Sequence, residues 1–238
     1  MFSDELQEVI DSLLGEACPD WAPPPRVAAT ADDAGQRRYE RIEVTRLRLG
    51  QALAGRLDLT ARLSAAIFEA ILLEYSLTDQ LTAPLIAAVG RRAVLEQLIG
   101  AVREGPCRRR ANAAAAAYWV KCWRHPQESA LLRSAYAEGA RSSMQLRSYV
   151  ARHLPPGPGG ADTIEDLWPR FWQACLTAFI ECDDAEVRRL LQTAFPNEAG
   201  CYPVEFAGLL EQARQIAAAD PERFQRMRDR STGYGFRI

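Results

Sequence analysis

Leu6, Val9, Ile10, Leu13 and Leu14 recur at three- and four-residue intervals behind Ser3, and that interval governs most apolar positions further along the chain. It predicts a short amphipathic helix at the start, with Ser3 placed to cap it and Gly15 placed to stop it. Further helices are expected at 38–57, 60–75, 78–89, 91–104, 107–124, 127–138, 140–153, 164–182, 184–195, 203–219 and 221–230. Period-two alternation of β-branched residues is absent, so no strand is proposed.

Several boundaries carry chemical signals. Gly90, Gly105 and Gly139 sit where helices should stop. Asp220-Pro221-Glu222 offers an N-cap, a first-turn proline and an acid facing the helix dipole, and Asp183 with Glu186 reads as a capping-box-like start. Pro169 should kink the 164–182 helix or delay its start. Cys18 to Gln36 (CPDWAPPPRVAATADDAGQ) reads as a linker or surface strap, and PPGPGGA at 155–161 as a mobile loop. The expected organisation is an acidic helix and strap at 1–36, one helical domain at 37–230, and a tail at 231–238.

Helices of this length with short connections imply antiparallel pairs. Arg109, Arg147 and Arg188 fall at intervals of 38 and 41 residues, each following a break and opening a helix, each behind a more apolar helix. The stretch Glu104-Gly-Pro-Cys-Arg-Arg-Arg-Ala-Asn-Ala-Ala and, more clearly, Asp183-Asp-Ala-Glu-Val-Arg-Arg-Leu-Leu resemble the turn and second-helix opening of HEAT repeats. The resemblance spans about residues 80–230; the middle unit, Ser142 to His153, lacks the acidic turn. It implies an all-α fold in which antiparallel helical pairs stack as a short HEAT-like α-solenoid, with an irregular α-helical bundle as the alternative. It also implies that Arg109, Arg147 and Arg188 are structural, and that Arg108, Arg110 and Arg189 beside them are freer to bind.

With 238 residues, 48% hydrophobic and 25% charged, the chain can bury an ordinary core. The net charge is −2, which argues against a surface wholly committed to nucleic acid. The first 40 residues hold nine acids and three arginines, so an acidic arm precedes a mildly basic body. Lys121 is the one lysine and alanine occurs 39 times, a bias that reads as codon usage in a GC-rich, bacterial genome. Six scattered cysteines suit reduced thiols, and Asp4, Glu5, Glu8 and Asp11 interrupt any signal-peptide pattern, so a cytoplasmic protein is expected. No stretch is apolar enough to span a membrane.

Two tryptophan pairs, Trp119 with Trp123 and Trp168 with Trp172, lie at i,i+4. Residues 113–120 (AAAAAYWV) are apolar all round, which assigns the first pair to the core. The second pair follows the Gly-rich loop and is expected to face a groove. Cys122-x-x-His125 offers too few ligands for zinc, and no nucleotide-binding or hydrolase motif occurs, so neither metal nor cofactor is expected. Tyr234 and Phe236 in the tail would dock on the last helical groove.

The leading expectation is a non-enzymatic helical-repeat protein that binds another protein, with Arg108, Arg110, Arg189, Trp168 and Trp172 as candidate contacts and a homodimer left open. The acidic arm would fold back on the body or engage a second copy. A contrasting reading is an enzyme resembling the HEAT-like alkylpurine DNA glycosylases, with Trp168, Trp172 and Asp166 as loose analogues of their tryptophans and acid. A third is a motif-less helical enzyme or carrier with a closed apolar cavity.

Overall fold

The computed structural model describes residues 4–22, 31–74, 79–125, 127–154 and 164–228; within these, the side chains of residues 31–40 and of Glu43, Ser129, Ser143, Arg147 and Ala151 are not described. Among the described residues there are helices and no strands. In chain order the helices are α1 (Asp4–Ala17), α2 (Ala31–Leu53), α3 (Leu57–Arg62), α4 (Ser64–Leu73), α5 (Asp79–Val89), α6 (Arg91–Glu104), α7 (Cys107–Cys122), α8 (Glu128–Ala137), α9 (Ser143–His153), α10 (Trp168–Glu181), α11 (Ala185–Leu191), α12 (Ala207–Ala219) and α13 (Gln225–Arg228). Loop 155–161 and tail 231–238, with Tyr234 and Phe236, lie outside the described residues, as does Ser3.

The helices pack in two rows. In one row α1, α4, α7 and α11 touch in that order; in the other α2, α5, α6, α10 and α12 do. Partners across the rows are α1 with α2, α4 with α5, α6 with α7, and α10 with α11. The architecture is therefore one of stacked helical pairs, and all-α as expected. It departs from simple repetition at Gly90, whose φ of 92° is open to glycine and strained for other residues. That turn lays α6 beside α5 in the same row, and the order of rows within a pair is reversed from there on.

Helix α7 is the axis of this arrangement. It contacts α4, α5, α6, α10 and α11, and Ala111, Ala113, Ala114, Ala116 and Ala117 are all buried. Alanine combines the best helix propensity with the smallest side chain that still packs, so five neighbours can approach one helix without overfilling the space. A close crossing recurs where α2 meets α5: a Cβ on Gly50 would lie 2.8 Å from the carbonyl oxygen of Gln80.

The core also holds a buried ion pair. Arg46 of α2 bonds Glu74 just past α4, their side chains 1% and 0% exposed. Nearby, the Asn112 amide of α7 donates to the Leu72 carbonyl at 2.8 Å. Together these polar links fix how α2, the end of α4 and α7 meet.

The amino-terminal helix belongs to this body. Leu6, Ile10, Leu13 and Leu14 are at most 1% exposed, and the Arg56 guanidinium donates to the Ala17 carbonyl at 2.6 Å. Asp11 pairs with Arg41 and Glu5 with Arg109, each at 3.6 Å, so the acidic arm docks on its own chain. The apolar face of α1 packs on the body, as a face of that size requires, and of the expected strap residues 31–36 lie in α2 while 23–30 lie outside the described residues. Gly15 falls inside α1 rather than ending it, because Cys18 N–H still closes on Leu14 O at 2.7 Å.

Other boundaries moved by small amounts. The 60–75 stretch is two helices that meet at Leu63. Asp184, not Asp183, caps α11, accepting from Glu186 and Val187 N–H at 2.8 and 3.1 Å. Pro169 sits in the first turn of α10, where its missing N–H costs nothing, so it delays the helix rather than kinking it.

Ala117→Leu should overfill the α7 axis and cost about 1–3 kcal/mol or more in urea denaturation. Glu74→Ala should cost about 3–5 kcal/mol by leaving the Arg46 charge buried, whereas an exposed-site control such as Val204→Ala stays near wild type.

Candidate functional site

Between α7 and α10 the chain leaves the stack. Helices α8 and α9 pack mainly on each other, while α6 and α7 rest directly on α10 and α11. The expected middle repeat is thus displaced from the stack, and its Ala135 and Val150 form a small apolar seam outside the main core. Hydrophobic matter is short here: Leu131, Leu132 and Leu146 are only half-buried.

Local chemistry sets this hairpin all the same. At the end of α8, Gly139 takes φ 94°, its N–H bonds Tyr136 O at 3.1 Å, and Ala140 N–H bonds Ala135 O at 3.0 Å, which together make a Schellman motif. Helix α9 then starts on a capping box: Gln145 N–H donates to Ser142 Oγ at 3.2 Å and Ser142 N–H to Gln145 Oε1 at 3.1 Å. Tyr149 of α9 donates its hydroxyl to Glu138 at 2.5 Å, and this bond raises the phenol's pKa. The Tyr149 ring stacks on His153 with centroids 4.1 Å apart.

The exposed aromatic and methionine side chains lie on this hairpin and on the last turns of α7, while the exposed aliphatic ones, Val44, Leu47, Leu57 and Val204, lie elsewhere. Tyr136 is 53% exposed, Met144 77% and Tyr118 53%. Among the described residues, Tyr118 and Tyr136 are the exposed aromatics. Trp119 and Trp123 are half-buried, Trp123 against the main core; Tyr118 and Trp119 meet edge to face at 5.2 Å, and Trp123 meets His125 at 5.9 Å. A shallow groove of about 400 Å³ lies where α8 turns into α9, with Ala135, Gly139, Met144, Tyr149 and Arg152 in its wall.

The residues favoured from sequence sit elsewhere. Trp168 and Trp172 are corrected: they are 4% and 3% exposed, packed on Phe171 and Tyr202, because α10 turns its apolar face fully inward between α6 and α12. The first pair, Trp119 and Trp123, is partly buried, with Trp123 packed against the main core. Asp166 is held by Arg92 through two bonds of 2.9 and 2.7 Å, and these bonds depress its pKa. The Trp168, Trp172 and Asp166 set is therefore not assembled in an open groove.

Arg110 is corrected as well. Its Nε donates to Gly105 O at 2.6 Å and its guanidinium pairs with Glu181 at 2.6 Å. Arg110 and Arg188 are the fourth residues of α7 and α11, and Arg188 likewise donates to carbonyls at the end of the preceding helix, Phe179 and Ile180, at 2.9 and 3.1 Å. The structural register therefore pairs Arg110 with Arg188, one residue away from Arg109, which instead reaches Glu69 of α4 at 2.8 Å. The side chain of Arg147 is not among those described. Arg108 and Arg189 are both exposed, and Arg189 is bonded to Glu186 at 2.9 Å; no described contact brings the two together.

Among the described residues no three His, Cys, Asp or Glu side chains form a cluster that could hold a metal ion, and no helix there is long and apolar enough to cross a membrane. Compared with protein-family models, with characterised proteins and with solved structures, the chain matches none.

Arg110→Ala should lower stability by about 1–2 kcal/mol through its lost bonds, with Arg108→Ala neutral, as read by thermal melts. Because Asp166 has a depressed pKa, its pairing with Arg92 contributes above the ordinary carboxylate value near 3.8 and fades as pH falls below it. The melting-temperature gap between wild type and Asp166→Asn should therefore narrow between pH 5 and pH 2.

Proposed function

We propose that this chain is a non-enzymatic helical-repeat scaffold, HEAT-like in its pairwise stacking, whose partner is another protein. One observation carries the reading: the exposed aromatic and methionine side chains lie on the end of α7 and on a hairpin that the main core does not require. Two helices of 10 and 11 residues are too short to be stable on their own in water. A chain that keeps such a hairpin, caps both its inner ends and dresses it with Tyr and Met has the composition of an interaction surface, where these residues are enriched.

The occupant is a protein surface rather than a polyanion. The groove wall mixes Tyr149, Met144 and Ala135 with Glu138 and Arg152, so it offers apolar contact with both charges and no basic stripe. Phosphate recognition would call for several converging arginines. Of the candidate arginines, Arg110 is bonded within the fold and Arg189 is paired with Glu186, which leaves Arg108 exposed.

The test is affinity capture in cell extract from the native host with wild type, the double variant Tyr136→Ala/Met144→Ala, and Val204→Ala as an exposed apolar control elsewhere. A partner retained by wild type and by Val204→Ala should be lost by the double variant at unchanged melting temperature, the loss corresponding to about 2 kcal/mol or more, a factor of roughly 30 in affinity. Equal capture by all three proteins, or none above bare resin, would contradict the reading.

A further inference from the structure

Cys107 and Cys182 are far apart in sequence, yet the fold brings their side chains into hydrogen-bond contact. Cys107 opens α7 and is partly exposed; Cys182 ends α10 and is fully buried. Their meeting is built into the architecture. Glu181, beside Cys182, pairs with Arg110 one turn into α7 at 2.6 Å, and Arg110 in turn holds Gly105 O at 2.6 Å. Arg188 holds the last carbonyls of α10 from the other side. The helix ends that carry the two thiols are thus fastened to each other by contacts that do not involve sulfur.

We propose that Cys107 and Cys182 are a reversible dithiol–disulfide pair, oxidised by a hydroperoxide, that locks the start of α7 to the end of α10, at the ends of these two helices away from the α8–α9 hairpin. In the first step the Cys107 sulfur attacks the terminal oxygen of the hydroperoxide. An S–O bond forms, the O–O bond breaks, the thiol proton passes to the leaving alkoxide, and an alcohol departs. The Cys182 sulfur then attacks the sulfur of the Cys107 sulfenic acid; an S–S bond forms, the S–O bond breaks, and the hydroxyl leaves as water with the Cys182 proton. Two thiols and one hydroperoxide give a disulfide, an alcohol and water, and the peroxide accepts both electrons. A small-molecule dithiol reverses the reaction by exchange.

Burial assigns the two roles. Cys107 is the thiol an oxidant can reach. Cys182 has its pKa pushed up to about 11, first by burial and next by the bond to Cys107, so it remains a thiol until the sulfenic acid is formed beside it. Asp184 acts on the Cys182 sulfur in two opposed ways: its N–H bond favours the thiolate and its carboxylate charge disfavours it. The exposed Cys122 takes a hydrogen bond from Tyr118 and lies beside Lys121.

The experiment treats the full-length protein with hydrogen peroxide, blocks remaining thiols with N-ethylmaleimide under denaturing conditions, and maps the products by mass spectrometry. Expected are a loss of two blockable thiols, a cross-linked peptide pair in which fragmentation places the link on Cys107 and Cys182, a higher melting temperature, and full reversal by dithiothreitol. Cys107→Ser and Cys182→Ala should each abolish the link, with Cys182→Ala leaving a Cys107 sulfenic acid that dimedone traps. Cys122→Ser should keep the link, so a folding defect in either cysteine variant does not decide the outcome. Oxidation that leaves Cys107 and Cys182 on separate peptides in the wild type, or that links Cys107 to a second chain instead, would overturn the proposal.

Discussion

Close approach around one alanine-rich helix is the constraint on which the rest of the structure depends. Helix α7 offers almost nothing beyond methyl groups to five neighbours, so the two rows of helices can share it as a common wall. Larger side chains would push α4, α6 and α11 apart and break both rows at their middle. Everything flanking α7 follows from keeping that approach in register: the Arg46–Glu74 pair, the Asn112 bond to Leu72, and the arginines that tie the start of α7 to the end of α10.

The same constraint explains why the α8–α9 hairpin stands apart. With α6 and α7 resting directly on α10 and α11, no space is left in the rows for the pair of helices that the chain makes between them. Its capping is as complete as that of any core helix, but its apolar content is small and much of it faces water. Order supplied by local hydrogen bonds, together with apolar side chains left outside the core, is what a docking element requires. The thiol pair lies at the other ends of α7 and α10, away from this excursion, and adds a place where the joint between the two rows can be tightened by chemistry.

Much of the fold was legible from periodicity alone. Apolar spacing found nearly every helix, and Gly90, Gly105 and Gly139 marked real ends, because helix termination by glycine is a local property. Pairing into stacks was legible too, since short connections leave few alternatives. What the sequence could not show was which pairs stack on which. Equal spacing of Arg109, Arg147 and Arg188 suggested three equivalent units, whereas the middle unit is set aside and the working register is Arg110 with Arg188. Fourth-in-helix counting would have found this once the starts of α7 and α11 were known. The candidate site was less visible. Tryptophan count and a nearby loop pointed to Trp168 and Trp172, but burial of an aromatic depends on the neighbours it meets, and α10 meets partners on both sides. Tyr118 was hidden within an apolar run, and the exposure of Tyr136 and Met144 follows from the hairpin leaving the stack, a tertiary fact without a local signal. The contact between Cys107 and Cys182 is of the same kind.

Native-state hydrogen exchange resolved by mass spectrometry tests the central claim most directly. Peptides from α7 should exchange only through global unfolding, while peptides from α8 and α9 should exchange through a local opening several kcal/mol lower, with α6, α7, α10 and α11 protected as one unit. Equal protection of the hairpin and α7, or rapid exchange in α7 with the hairpin closed, would contradict it.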